Sequence, residues 1–77
     1  MKDPFLVLIR TDKSGRRGKV VTRVENLPLH PEGKRTILKE LQQRCGAGGT
    51  LKEGALELQG DHRARVGAHV ESLGLRV

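Results

Sequence analysis

The chain has 77 residues, enough for one domain with one sheet and one or two helices but with little room for a deep substrate cleft. Fifteen Lys and Arg against nine Asp and Glu give a net charge of +6, which points to an anionic partner such as RNA, DNA or an anionic membrane, with nucleic acid the commonest. Because Phe5 is the only Phe, Tyr or Trp, a base-stacking platform is excluded, and recognition should depend on phosphates and shape.

The first 25 residues predict a β-hairpin. Phe5–Ile9 is a short apolar run and predicts a strand buried on both faces, whereas Lys19–Glu25 alternates between two faces and predicts a second strand. Between them, Thr11–Gly18 predicts a polar loop. We call Lys13–Lys19 the hairpin tip; its basic residues make it either a solvated loop or a segment that contacts RNA phosphates.

A linker over Asn26–Gly33 leads into a predicted helix from about Pro31 to Arg44. Its apolar residues recur at helical spacing and predict one buried stripe. Gly46 is suited to ending this helix. The stripe consists of Ile37, Leu38, Leu41 and Cys45.

The C-terminal part predicts two short strands, Thr50–Lys52 and Ala55–Gln59, followed by a second helix for which Asp61 is the expected N-cap. We expect this helix to bury Val66, Val70 and Leu73 and to end at Gly74, and Leu75–Val77 to add a final edge strand. The predicted order is β-β-α-β-β-α-β. This is an α+β fold, a single sheet of about five strands with two helices packed on one face, and residues 1–77 form one domain.

The sequence predicts no catalytic residue, no metal site and no cofactor. Cys45 lies on the apolar stripe and is most simply a small core residue, and His30, His62 and His69 lack zinc-like spacing. A single cysteine cannot form an internal disulfide, which suits a reducing cytoplasm. No apolar run reaches the length of a membrane span or of a signal peptide's apolar region, so we expect a cytoplasmic protein.

The run Gly48-Gly49-Thr50-Leu51-Lys52 followed by Leu56-Glu57-Leu58-Gln59-Gly60-Asp61-His62-Arg63 resembles the signature of the translation initiation factor 1 family of eukaryotes and archaea, which has small bacterial homologues. The upstream segment Gly18–Leu27 is similar to the family's second strand. The resemblance implies an α/β plait-like sheet with two helices on one face. It also implies a non-enzymatic factor that sits on the small ribosomal subunit near the peptidyl site and monitors start-codon pairing of initiator tRNA.

The same resemblance implies which surfaces face ribosomal RNA. The partners it implies are the rRNA of the small subunit, initiator tRNA and other initiation factors, with the protein acting as a monomer. An alternative is a general structured-RNA-binding or regulatory module that works off the ribosome. For Arg63 the sequence leaves RNA binding and pairing with a nearby carboxylate equally open. The RNA-binding residues that the resemblance implies are Arg16, Arg17 and Lys19 at the tip and Lys34, Arg35, Lys39 and Arg44 on the first helix. Within the signature itself, we add Lys52 and Arg63 as candidates for RNA contact.

Overall fold

A computed structural model describes residues 6–13 and 19–77 as an α+β fold. Pro31 occupies the first turn of the first helix, where its missing N–H costs no hydrogen bond. The order of elements is strand, strand, helix, strand, strand, helix. They are β1 (Leu8–Asp12), β2 (Val21–Glu25), α1 (Pro31–Cys45), β3 (Gly49–Lys52), β4 (Ala55–Gln59) and α2 (Arg63–Ser72).

The four strands form one antiparallel sheet in the order β1-β2-β4-β3. A two-residue turn joins β3 to β4, and both of its residues have positive φ, 50° at Glu53 and 81° at Gly54. Such a turn matches the right-handed twist of the two strands and fixes the pairing of Lys52 with Ala55. The central pair, β2 and β4, joins strands from the two halves of the chain.

The predicted fifth strand at Leu75–Val77 was wrong. Within the described residues this segment makes one isolated bridge, between Arg76 and Leu6, and the Val7 N–H donates to the Arg76 carbonyl at 2.8 Å. A ladder does not form because the Leu75 N–H bonds back to the last turn of α2. With Gly74 at φ 84°, the Gly74 N–H donates to Glu71 and the Leu75 N–H donates back to Val70, which is a Schellman motif.

The buried stripe predicted for α2 was wrong at one position. Val66 and Val70 are fully buried, but Leu73 is 46% exposed. Leu73 is the residue that caps the helix, and the turn at Gly74 directs Leu75 instead of Leu73 towards the core. His69 takes the third buried place on α2.

The first strand also differs from its prediction. It begins at Leu8 and includes Thr11 and Asp12, which pair with Thr22 and Val21 on β2. Leu8 is 38% exposed, because helices cover only one face of the sheet and alternate residues of β1 face away from them. Phe5 lies outside the described residues.

One core joins both helices to one face of the sheet. The stripe of α1 is confirmed, with Leu41 fully buried and Cys45 half-buried beside it. Leu56 and Leu58 of β4 are fully buried, as predicted. No helix among the described residues is long and apolar enough to cross a membrane. The core consists of Val7, Val24, Leu27, Ile37, Leu38, Leu41, Leu56, Leu58, Val66 and Val70.

Candidate RNA-binding surface

The hairpin tip is described only at its ends. Arg16 and Arg17 fall outside the described residues, so their predicted role stays a prediction. Lys19 is exposed at the point where the chain returns towards β2. Asp12 and Val21 are the last pair of the β1–β2 ladder, so the tip lies between these two residues in the sequence.

The predicted basic residues of α1 lie on the side of the helix that faces away from the core. Because Ile37, Leu38 and Leu41 turn towards the sheet, the residues between them turn to solvent. Arg35, Lys39 and Arg44 are exposed, and Lys34 is half-buried.

Lys34 extends the surface of α1 to the β3–β4 turn. Its Nζ lies 3.4 Å from the position that a Cβ on Gly54 would occupy. Lys52, at the end of β3, is exposed next to the same turn. Two cations from different elements therefore border one turn, an arrangement that follows from the packing of α1 against β3.

These five cations have no acidic partner in the part of the chain that the structure describes. Within residues 6–13 and 19–77, none of their side chains has a carboxylate oxygen within 4 Å. We call this set the unpaired basic surface, since its charges are available to an anion from outside. It consists of Lys34, Arg35, Lys39, Arg44 and Lys52.

On the face of the sheet that the helices do not cover, the charged side chains are paired with one another. Glu25 Oε2 accepts from Arg23 Nε at 2.6 Å and from Arg10 Nη2 at 2.9 Å, and Arg23 Nη1 donates to Glu57 Oε2 at 2.8 Å. The bonds from Arg23 and Arg10 lower the pKa of Glu25, and those from Glu25 and Glu57 raise the pKa of Arg23. We call these four residues the paired sheet face. Its charges cancel one another, so it offers little attraction to a phosphate.

The turn before α2, which carries the signature Asp, His and Arg, is held by local hydrogen bonds. The prediction that Asp61 is the N-cap was wrong: the N-cap is His62, and α2 begins at Arg63. Asp61 instead accepts the Arg63 backbone N–H at 3.3 Å and its guanidinium at 3.0 and 3.1 Å. These bonds lower the pKa of Asp61 and raise that of Arg63. Of the two alternatives open for Arg63, the ion pair is the one observed, and an RNA contact stays a prediction.

Sequence reasoning missed the residue that fixes this turn. Thr22 on β2 is fully buried, and its Oγ1 donates to the Gly60 carbonyl at 2.6 Å and accepts the His62 N–H at 2.8 Å. The inward position of a polar residue between Val20 and Val24 was the available signal. These two bonds tie the turn that follows β4 to β2.

The same turn borders an open depression of about 550 Å³, lined by residues 61–65. The Nε2 of the His62 ring lies 2.8 Å from the Gln59 carbonyl oxygen. Among the described residues no three His, Cys, Asp or Glu side chains lie close enough together to hold a metal ion.

His69 was the second buried polar residue that the sequence did not single out. It is 7% exposed, and its Nε2 lies 3.1 Å from Glu40 Oε1 on α1. Nearby, Arg65 Nη1 donates to the Arg44 carbonyl at 2.9 Å. Side chains from α2 therefore join it to the C-terminal half of α1 at two points.

These features assign the chain to a structural class. It is a small α+β domain with the unpaired basic surface along one helix and a Gly-rich hairpin. A family model described as "Translation initiation factor SUI1" matches residues 4–76. The chain belongs to this family, and the resemblance drawn from the Gly48–Arg63 signature is confirmed.

Individual relatives come from bacteria and archaea. The chain is 44% identical over 70 residues to an uncharacterized protein of Synechocystis, covering 91% of this chain and 63% of that protein. It is 44% identical over 73 residues to "Protein translation factor SUI1 homolog" of Picrophilus torridus, covering 94% of this chain and 73% of the relative. It is 35% identical over 76 residues to the uncharacterized YciH of Escherichia coli, covering 99% and 70%.

Proposed function

We propose that the chain is a translation initiation factor that binds the small ribosomal subunit near the peptidyl site and influences the selection of start codon and initiator tRNA. One observation carries the proposal from the structure: the unpaired basic surface, in a chain whose other described arginines are largely engaged. Membership of the SUI1 family supplies the process, and the basic surface supplies a means of attachment.

The contacts would be made to phosphates. Lys39 and Arg35 extend from a rigid helix, so they can position the domain on RNA without reading bases. Arg can hold a phosphate with two parallel hydrogen bonds, whereas Lys acts as a point charge. Such a factor acts by occupying its site on the subunit and not by catalysis. It works as a single domain and a monomer in the cytoplasm. Arg16 and Arg17 at the tip would bias which codon–tRNA pairs persist.

Sedimentation with purified small subunits tests the attachment. We expect co-migration at low salt, because phosphate contacts release counterions and weaken as salt rises. Replacing Arg35 by Gln should reduce the slope of log affinity against log salt by about 0.9, the amount expected for one lost contact. Arg10→Gln is the matched control, since it removes the same charge from the paired sheet face. Failure of the wild-type chain to co-migrate at low salt would contradict the proposal.

A competition experiment separates the ribosomal role from general RNA binding. Free structured RNA is added to the complex with small subunits, and displacement is measured. We expect subunits to be bound far more tightly than the free RNA. Equal affinity for both would favour a module that works off the ribosome. In an initiation assay, Arg16→Glu with Arg17→Glu should weaken start-codon discrimination while leaving the fold intact.

A further inference from the structure

A groove of about 250 Å³ runs between the end of α1 and the outer side of α2. Two arginines border it, and no carboxylate is among its lining residues. It adjoins the depression at the signature turn, and Arg65 lines both. The lining residues are Arg44, Arg65, Ala68, His69 and Ser72.

Arg44 and Arg65 border this groove, and neither has a carboxylate partner among the described residues. Arg65 is fixed in place by its hydrogen bond to the Arg44 carbonyl, which leaves the other four of its five N–H donors without a partner in the described part of the chain. The Arg44 side chain has no acidic partner there either. Like charges held close together repel, and an anion between them would turn this repulsion into attraction.

The imidazole of His69 is buried beside the groove. Its Nδ1 is inaccessible to solvent and is the one buried side-chain atom without a hydrogen-bond partner among the described residues. Buried polar atoms normally have a hydrogen-bond partner, because a buried polar atom without one costs free energy. The His69 Nε2 is the donor in the contact with Glu40, because a carboxylate oxygen accepts.

We propose that this groove binds a phosphate of an RNA backbone, with Arg65 as the principal contact and Arg44 as the second. The proposal rests on the proposed function and extends it, because it adds α2 to a surface otherwise formed by α1 and the hairpins. Arg65 meets the requirement for bidentate phosphate binding, since one end of its guanidinium is anchored and the rest is exposed to the groove.

The first test uses the whole chain and inorganic phosphate, without the ribosome. Side-chain NMR signals of Arg65 and His69 are followed during titration with phosphate, with chloride at equal ionic strength as the reference. We expect saturable shifts with phosphate alone, lost in Arg65→Gln and kept in Arg10→Gln. Shifts that never saturate, or that survive in Arg65→Gln, would overturn the site.

The second test measures small-subunit affinity at 50 and 200 mM salt, values at which one phosphate contact changes affinity about 3.5-fold. We expect the advantage of wild type over Arg65→Gln to shrink by about that factor between the two conditions, and Arg10→Gln to follow wild type. If wild type binds subunits and Arg65→Gln binds equally well, the groove does not contact RNA, although the proposed function survives. If wild type itself does not bind, the proposed function fails.

A second variant separates a loss of phosphate binding from a loss of stability. Arg65→Gln also removes the bond to the Arg44 carbonyl, so its unfolding midpoint is measured beside that of wild type. Arg44→Gln keeps this carbonyl and removes only the second guanidinium. It should weaken phosphate binding in the NMR titration without lowering the midpoint, and unchanged phosphate binding in this variant would contradict the two-arginine site.

Discussion

Gly48 and Gly49 are adjacent in the signature but have different surroundings. A Cβ added to Gly49 would lie 2.7 Å from the Glu57 carbonyl oxygen, 2.9 Å from Leu58 Cδ2 and 3.1 Å from Leu38 Cδ1. A Cβ added to Gly48 would make only ordinary contacts, the nearest at 3.5 Å from the Gln59 side chain. The second glycine of the pair is therefore the one that lets β3 approach both β4 and α1.

Substitution of these two glycines by Ala should separate their roles. Gly49→Ala should lower the free energy of unfolding by about 1–3 kcal/mol, the usual cost of overpacking. Gly48→Ala should leave it unchanged or raise it slightly, because Ala restricts the unfolded chain. Urea unfolding of both variants measures the difference, and equal losses would contradict the close approach at Gly49.

Thr22 offers a test of the buried turn at the start of α2. In Thr22→Val the shape of the side chain is kept, but the Gly60 carbonyl and the His62 N–H lose their partner. We expect a loss of about 1–3 kcal/mol in the free energy of unfolding. Thr36→Val is the control, since Thr36 is exposed and bonds only within α1; it should change stability by less than about 0.5 kcal/mol. A Thr22→Val variant as stable as this control would show that the hydrogen bonds of Thr22 contribute nothing to the free energy of unfolding.

At the scale of elements, periodicity predicted both helices and the four strands, because one covered sheet face and two amphipathic helices leave a clear apolar pattern. The ends were less predictable. The start of α2 depends on Thr22, which lies 40 residues before His62 in the chain, and the end of α2 depends on backbone bonds at Gly74. The strand expected at Leu75–Val77 failed for that second reason.

The paired sheet face predicts a specific response to acid. The pKa of Glu25 is lowered from its ordinary value of 4.5 by Arg23 and Arg10. A carboxyl whose pKa is lower when folded stabilises the protein above 4.5, and this contribution is lost as the pH falls from 4.5 through the lowered value. Wild type should therefore exceed Glu25→Gln in stability at pH 7 by more than at pH 3.

Urea unfolding of both proteins at the two pH values measures this gap. Glu71→Gln, which removes an exposed carboxyl that has no ion pair among the described residues, serves as the control and should show no such narrowing. A gap for Glu25→Gln that is as large at pH 3 as at pH 7 would contradict the stabilising role of these ion pairs.

At the scale of the whole molecule, the positive charges are paired with carboxylates on one surface and unpaired on another. The sequence predicted the basic residues of α1 because they lie between the apolar positions of one helix. It could not separate them from Arg23 and Arg10. Arg23 pairs with Glu57, 34 residues away, and Arg10 pairs with Glu25, 15 residues away, and both pairs depend on strand register. Nor could it predict the groove at Arg65 and His69, which exists only where α2 packs against the end of α1. The structure thus distinguishes a neutralised sheet face from a basic helical side.

The central claim is that this basic side attaches the chain to small-subunit rRNA near the peptidyl site. Hydroxyl-radical footprinting of small-subunit rRNA, with and without the wild-type chain, tests it most directly. We expect protection of rRNA backbone around the peptidyl site, reduced by Arg35→Gln and unchanged by Arg10→Gln. Protection confined to other regions of the subunit, or the absence of any protection at low salt, would contradict the claim.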